Sequence, residues 1–328
     1  MSASYQIRPI QDRPLWDSFV DSALGGSPFS KQAWLDCSAN ALGGHPTYLG
    51  IFKNDKLVAG LAAIAHRRRG FTRLETPELT PHTGLLLAPI ESKGPAKIEA
   101  ETHRASELLI DYLRCHYDHV RLSHSPSLHD VRPFSWAGWQ PRVRYTYQMN
   151  LSNLDALWER IERRTRTTIR KAEKLGYTLE ETDDLDLFCS LYELIYTRQK
   201  QAPPVATAKI QSFVGSALGE KLARMYAISS PTGETAAIVA FVEDCDTSYA
   251  WVAGTDPAHN NTGATSLLYW QYFSLCEKAR FDFVGANLPA ISFFKRGLGG
   301  DLVPYYATEG FGNTWLKKAV HLKRFIAG

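Results

Sequence analysis

The sequence predicts an α/β protein with mixed sheets, made of two tandem domains related by duplication. Two observations carry this. The strand and helix patterns of the second half run strand, two helices, hairpin, strand, helix, strand, short helix, strand, and the first half gives nearly the same order. A short segment also recurs: Phe134-Ser135-Trp136-Ala137-Gly138-Trp139 resembles Phe293-Phe294-Lys295-Arg296-Gly297-Leu298, setting Phe134 against Phe293 and Gly138 against Gly297. In that register Trp136 faces Lys295. Folding alone does not explain an ammonium where the other copy has an indole, so Lys295 is a functional candidate.

In the first half, Tyr5 to Ile10 reads as a strand, followed by two helices, the second from Lys31 to Leu42 and closed by Gly43-Gly44. A hairpin follows, Thr47 to Phe52 and Leu57 to Ala65 about the turn Lys53-Asn54-Asp55-Lys56. Arg67-Arg68-Arg69 then reads as a solvated turn at a strand end. The two prolines around Thr80 and His82 mark a loop leading into the strand Leu85 to Ala88. Ile98 to His116 has helical periodicity, and Asp118 to Leu122 reads as a strand.

In the second half, Asn153 caps a helix that runs into a basic stretch ending at Gly176, with Arg163, Arg166 and Arg170 on one face and Ile161, Ile169 and Ala172 on the core side. Such a face is ordinarily solvated; with few compensating acids nearby it is also a candidate for a phosphate or carboxylate. The strand Tyr177 to Glu181, helices Asp184 to Gln201 and Thr207 to Leu218, and a hairpin about Ser230 to Glu234 follow. The strand Thr247 to Gly254 leads through Asn260-Asn261-Thr262-Gly263 into a helix, Ala264 to Ala279, then the strand Phe281 to Val284 and the short helix Ile291 to Gly297.

The composition, 44% hydrophobic and 22% charged over 328 residues, can bury a sizeable core in each of two domains. A net charge of +3 is too small to indicate nucleic-acid binding by itself. Five widely spaced cysteines without a CxxC pair indicate neither a disulfide framework nor a cysteine zinc site. Cys115, His116, Asp118, His119, His124 and His129 are dense, yet they straddle a helix end, a strand and a loop and specify no tetrahedral set, so no metal is expected. There is no signal-peptide pattern and no apolar run near the length of a membrane span, so the expected compartment is the cytoplasm.

Three segments carry a family resemblance. Arg166-Thr167-Thr168-Ile169-Arg170-Lys171-Ala172 with Gly176, Phe281-Asp282-Phe283-Val284-Gly285-Ala286, and Phe294-Lys295 with Leu298-Gly299 resemble the motifs of the Fem-type peptidyltransferases and the related CelD/BioF2-like acyltransferases of the GNAT superfamily. The resemblance implies two tandem GNAT-like domains: residues 1–150 a degenerate N-terminal domain, 151–310 the domain carrying the donor site, and 311–328 a C-terminal helix. It departs from the family at Leu298, where phenylalanine is usual, and in lacking a long paired-helix arm. In the donor loop, Asn260-x-x-Gly263-x-Thr265 keeps only the central glycine of the GNAT pattern, which leaves acyl-CoA and aminoacyl-tRNA both open as co-substrate, with tRNA a possible partner and no tightly bound cofactor.

Acyl transfer to an amine passes through a tetrahedral oxyanion and needs donors aimed at that oxygen, a grip on the donor's phosphates and an uncharged amine. Carried over, Lys295 neutralises the oxyanion or a donor phosphate, with Asp282 orienting it or accepting a proton. The helix opening at Asn260, Asn261, Thr262, Gly263, Ala264 and Thr265, with Val252 on the preceding strand, holds the donor. Arg166 and Arg170 hold an anionic acceptor, and Thr80, His82, Gln199, Trp251, Tyr269, Asn287 and Tyr305 join them as acceptor residues in a cleft between the halves. The expected activity is an N-acyltransferase acting on a small-molecule or cell-envelope precursor. The alternative is a non-catalytic double-GNAT protein gripping a polyanion.

Overall fold

The computed structural model describes residues 4–90, 94–197 and 202–327. In its first half the elements are β1 (Tyr5–Pro9), α1 (Arg13–Ser22), α2 (Gln32–Leu42), β2 (His45–Lys53), β3 (Lys56–Arg68), β4 (Phe71–Glu75), β5 (Leu85–Leu87), α3 (Pro95–His116), β6 (His119–Ser123), α4 (Arg132–Trp136) and β7 (Gln140–Asn150). The second half continues with α5 (Leu154–Arg160), α6 (Arg163–Lys174), β8 (Thr178–Thr182), α7 (Leu185–Thr197), α8 (Thr207–Gly219), β9 (Ala223–Ser229), β10 (Thr235–Glu243) and β11 (Thr247–Thr255). It closes with α9 (Ala264–Leu275), β12 (Arg280–Asp282), α10 (Pro289–Gly297), β13 (Asp301–Phe311) and α11 (Thr314–Ala327).

The chain divides into two compact units, Met1–Arg144 with Pro304–Gly328, and Tyr145–Val303. In the first, the sheet order is β1-β2-β3-β4-β6-β13, with β5 beside β3; β4 and β6 are parallel and the other paired neighbours antiparallel. The β2–β3 hairpin turns through Asn54 and Asp55 at φ 49° and 59°, the left-handed pair that matches strand twist. Arg67-Arg68-Arg69 is not the end of the hairpin: β3 runs to Arg68, and Arg69-Gly70 turn it into β4, a strand the sequence reading did not find. Helix α3 lays Ala105, Leu109, Ile110 and Leu113 on the sheet, at the spacing of one helical face.

The second unit repeats the plan, with the order β7-β12-β11-β10-β9-β8 and one parallel pair, β11 with β12, among the described residues. Its core is aromatic: Phe241 stacks on Tyr272 at 3.6 Å, and Tyr269, Phe273, Phe281 and Phe283 surround them.

Two expectations change here. The final strand of each half completes the sheet of the other unit: Met149 and Gln148 of β7 lie opposite Phe281 and Asp282, whereas Glu309 and Gly310 of β13 lie opposite Arg121 and Val120. The units therefore do not break at 150 and 310, and α11 belongs to the first unit. A strand pattern shows a strand's period but not the edge it will join, which is why the exchange was not legible.

The internal repeat is also two residues out of the expected register. Gly138 (φ 74°) corresponds to Gly299 (φ 87°), each ending a helix and opening an 11-residue strand. The same separation of 161 residues carries His119 at the start of β6 to Arg280 at the start of β12. The counterpart of Lys295 is therefore Phe134, which is fully buried, and not Trp136, which is 65% exposed. Among the described residues, no helix is long and apolar enough to cross a membrane.

Candidate active site

The end of β12 is held by an unusual set of contacts. Asp282 is buried, and its carboxylate accepts hydrogen bonds from the Thr146 hydroxyl (2.6 Å), Gln148 Nε2 (2.7 Å) and the Val284 amide (2.7 Å). The Thr146 oxygen in turn accepts from the Gly285 amide at 3.1 Å. This loop passes through two left-handed residues, Val284 at φ 45° and Gly285 at φ 115°. A β-branched residue there is strained and persists only where its surroundings fix it.

Lys295, on the last turn of α10, supplies part of that fixing. Its ammonium donates to the carbonyl oxygens of Phe283 (2.6 Å) and Gly285 (2.5 Å) and lies 5.6 Å from the Phe283 ring centre. Burial pushes the Lys295 pKa down to about 8, with the Asp282 charge opposing the shift. The group remains a cation at neutral pH, and an ammonium with two of its three protons engaged keeps one donor to offer.

Where β11 leaves β12, the second unit has an open strand edge. Thr247, Ser248 and Tyr249 pair with β12; Ala250 to Thr255 pair with β10 alone among the described residues. A bulge at Trp251 shifts the register just there, leaving half-buried Val252 opposite Ala240. Beyond the strand, Asn260-Asn261-Thr262-Gly263 opens α9, the Thr262 hydroxyl oxygen accepting from the Ala264 amide at 3.1 Å. The amides of Thr265 and Ser266 lie in the first helical turn, whose N–H groups have no partner within the helix.

Helix α6 supports both features, but not with the residues the sequence singled out. A Cβ on Gly263 (φ 88°) would stand 2.2 Å from the Thr168 carbonyl oxygen, and one on Gly297 would stand 2.6 Å from Thr165 Oγ1. Lys171 Nζ donates to the Asn261 carbonyl at 2.9 Å. Thr165, Thr168 and Lys171 thus form the face toward the site, at i, i+3, i+6 spacing. Arg166 instead pairs with Glu159 of α5 (2.9 Å), and exposed Arg170 lies over Trp158 of α5 (5.4 Å). Glu162 receives the guanidinium of Arg296 from α10 (3.0 Å).

The remaining expected residues are dispersed. In the second unit, Tyr269 is core, 5.2 Å from Phe283 and 5.9 Å from Phe294, and burial raises its pKa. Trp251 is buried edge-on to Phe213 at 5.0 Å, and the Asn287 side-chain oxygen accepts from the Tyr145 amide at 3.0 Å. Thr80, His82 and Tyr305 belong to the first unit and are buried there; Thr80 Oγ1 accepts from Trp34 Nε1 (3.0 Å), and the His82 ring meets Phe29 edge-on. Gln199 lies outside the described residues.

The histidine-rich segment resolves into pairings within the first unit. His119 Nε2 lies 2.8 Å from Glu309, and buried His124, its pKa pushed down to about 3 by burial and by His82, lies 2.9 Å from Thr308 Oγ1. Glu99, His103 and Asp130 do converge, but Arg132 already bridges the two carboxylates at 2.9 and 2.7 Å.

Thr146 and Gln148, which the sequence reading missed, carry no motif; they reach Asp282 only because β7 pairs with β12. Thr165, Thr168 and Lys171 could have been found as the helical face opposite the arginines.

Comparison with known proteins bears on the fold that carries these residues. Residues 159–296 match the family model described as an acetyltransferase (GNAT) domain. No curated protein sequence matches the chain. Among solved structures, FemX matches with a TM-score of 0.74 at 11% identity, over 96% of this chain and 99% of that one. A tandem GNAT protein from the clavulanic acid biosynthesis pathway matches at 0.54 and 13%, over 94% and 99%. The C-terminal domain of a putative lysylphosphatidylglycerol synthetase from Agrobacterium fabrum matches at 0.53 and 12%, over 88% and 90%. Residues 159–296 thus match a GNAT domain, and the chain as a whole has the tandem GNAT fold, which it shares with FemX.

Proposed function

We propose that the chain is an N-acyltransferase that moves an acyl group from a CoA thioester to an amine, acting in the cytoplasm, with the second unit holding the donor. The observation that carries this reading is Lys295: a cation drawn onto the carbonyls of a strained loop, at a place where the other unit buries Phe134. An apolar side chain suffices for folding there. Drawing an ammonium partly out of water costs stability, so its presence is accounted for by charge to be met during the reaction.

In this mechanism the donor's phosphates sit at the opening of α9, against the amides of Thr265 and Ser266, and its extended arm lies along the free edge of β11. As the amine attacks the thioester carbon, the carbonyl oxygen gains negative charge, and the uncommitted N–H of Lys295 is the donor that meets it. Collapse of that intermediate forms the amide bond, expels the CoA thiolate and releases the amine proton. Asp282 positions the loop through Thr146 and the Val284 amide; with its oxygens occupied by three donors, it is a positioning residue.

Acetyl-CoA is favoured over aminoacyl-tRNA by the free β11 edge, which suits a narrow extended arm. Thermal stabilisation by acetyl-CoA, compared with charged and uncharged tRNA, tests the donor. Stabilisation by acetyl-CoA alone supports this reading; stabilisation by charged tRNA alone replaces the donor, and stabilisation by none of the three refutes the donor site.

A further inference from the structure

Outside this site, the first unit has a cavity of about 370 Å³ lined by four arginines and two glutamates: Arg121, Arg142, Arg144, Arg324, Glu78 and Glu309. Its walls follow from strand alternation. Arg121 and Ser123 share one face of β6, opposite Glu309 and Ala307 of β13, and Arg142 and Arg144 share one face of β7. The loop bearing Thr80 closes one side, and α11 brings Arg324 to another.

The charges in this cavity are unequally used. Buried Glu309 accepts two hydrogen bonds from Arg324, both at 2.8 Å, and lies 2.8 Å from His119 Nε2. Burial alone would raise its carboxyl pKa, but the bonds from His119 and Arg324 outweigh it and hold the group well below the usual carboxylate range. Glu309 is therefore committed. Arg142 approaches it only to 3.9 Å, Arg121 approaches Glu75 only to 3.9 Å, and Arg144 reaches the Ser123 hydroxyl at 3.4 Å. Among the described residues, none of these three guanidinium groups has a carboxylate within hydrogen-bond distance. The Thr80 oxygen accepts from Trp34, which leaves its O–H free to donate.

We propose that the first unit binds a small anionic molecule, bearing a phosphate or carboxylate group, in this cavity through Arg121, Arg142, Arg144 and Thr80. Planar guanidinium forks grip both oxyanions in bidentate fashion, and the cavity is of small-ligand size. This assigns the surplus of positive charge to β6 and β7, not to α6, where Arg166 is already paired. It goes beyond acyl transfer and does not rest on that reading.

Isothermal titration of the full chain with pyrophosphate and with citrate, at near-physiological salt, tests the assignment and separates the two chemistries. Saturable binding of at least one probe is expected, weakened about tenfold or more in Arg142→Ala/Arg144→Ala by the loss of charge-assisted hydrogen bonds. The matched control Arg67→Ala/Arg68→Ala, which removes equal charge from exposed sites that do not line the cavity, should bind within about twofold of wild type. Binding of pyrophosphate alone marks a phosphoryl ligand, and of citrate alone a carboxylate. A thermal melt verifies folding, and Arg142→Lys/Arg144→Lys, which keeps the charge but loses the forks, is expected to fall between wild type and the alanine pair. Absence of saturable binding to wild type, equal weakening in both alanine pairs, or loss of binding on Gly263→Ala instead would overturn the proposal.

Discussion

Lys295 occupies in the second unit the place that Phe134 occupies in the first. Phe134 is buried against Trp139 and His124, with ring centres 5.5 and 5.1 Å apart, whereas Lys295 turns its charge onto the carbonyls of Phe283 and Gly285. Duplication thus supplies an internal control: one unit shows what the fold requires at this position, and the other shows what has been added. Replacing Lys295 by methionine, similar in length and apolar, should leave the overall fold intact by circular dichroism, as Phe134 does in the first unit, while the loop loses the two hydrogen bonds to the Phe283 and Gly285 carbonyls. Acyl transfer should fall by about 10²–10³-fold, the usual cost of removing one oxyanion donor. Lys295→Arg keeps the charge and is expected to retain part of the rate.

The lowered pKa of Lys295 sets a pH dependence. If the charged form acts, the rate declines on an alkaline limb near pH 8, where an ordinary lysine would stay protonated to about 10.4. Stability moves the other way. Above pH 8 the folded chain has released a proton that the unfolded chain still holds, so stability rises with pH until the unfolded lysine also titrates. Urea unfolding of wild type should show this rise between pH 8 and 9.5 relative to Lys295→Met; parallel profiles for the two proteins would contradict it.

Asp282→Asn tests the coupling between the two groups. The Asp282 charge favours the protonated form of Lys295, so its removal should move the alkaline limb to lower pH. An amide also has one acceptor oxygen where the carboxylate has two, so the set of bonds from Thr146, Gln148 and Val284 cannot be kept whole. Destabilisation of about 1–3 kcal/mol is expected. A general-base role would instead abolish the rate without moving the limb.

Gly263→Ala separates packing from binding. Its Cβ would press on the Thr168 carbonyl, and its φ of 88° is strained for alanine. Gly233 has a similar φ of 86° with nothing near its Cβ, so Gly233→Ala reports the backbone strain alone, about 1 kcal/mol. The Gly263 variant should lose at least about 2 kcal/mol more, because a backbone carbonyl cannot turn aside as a side chain can. Equal melting temperatures would show that α6 can give way.

Much of the fold was legible because its elements are strongly patterned: the hairpin turn at Asn54-Asp55, the end of α3 at His116 and the glycine-opened start of α9 lie where the sequence places them, although α3 begins earlier, at Pro95, and α9 stops at Leu275, short of Ala279. The exchange of β7 and β13 was not, since strand period says nothing of partner, and it concealed Thr146 and Gln148. The repeat was found in the wrong register because Phe134 and Gly138 match Phe293 and Gly297 by residue type at a separation of 159, whereas the left-handed Gly138 and Gly299 and the strands that follow them set it at 161. On α6 the arginines drew attention by charge, yet short side chains suit a helix packed close to α9 and α10, and Thr165 and Thr168 supply them.

The most direct measurement of the central claim supplies isotope-labelled acetyl-CoA to an extract containing amine acceptors and follows labelled amides by mass spectrometry. With wild-type protein a labelled amide should appear above the background of a protein-free control, and with Lys295→Met it should fall by about two orders of magnitude or more. Equal labelling by the two proteins would contradict a role for Lys295 in the transfer, and no labelling above background by wild type would contradict the reaction itself.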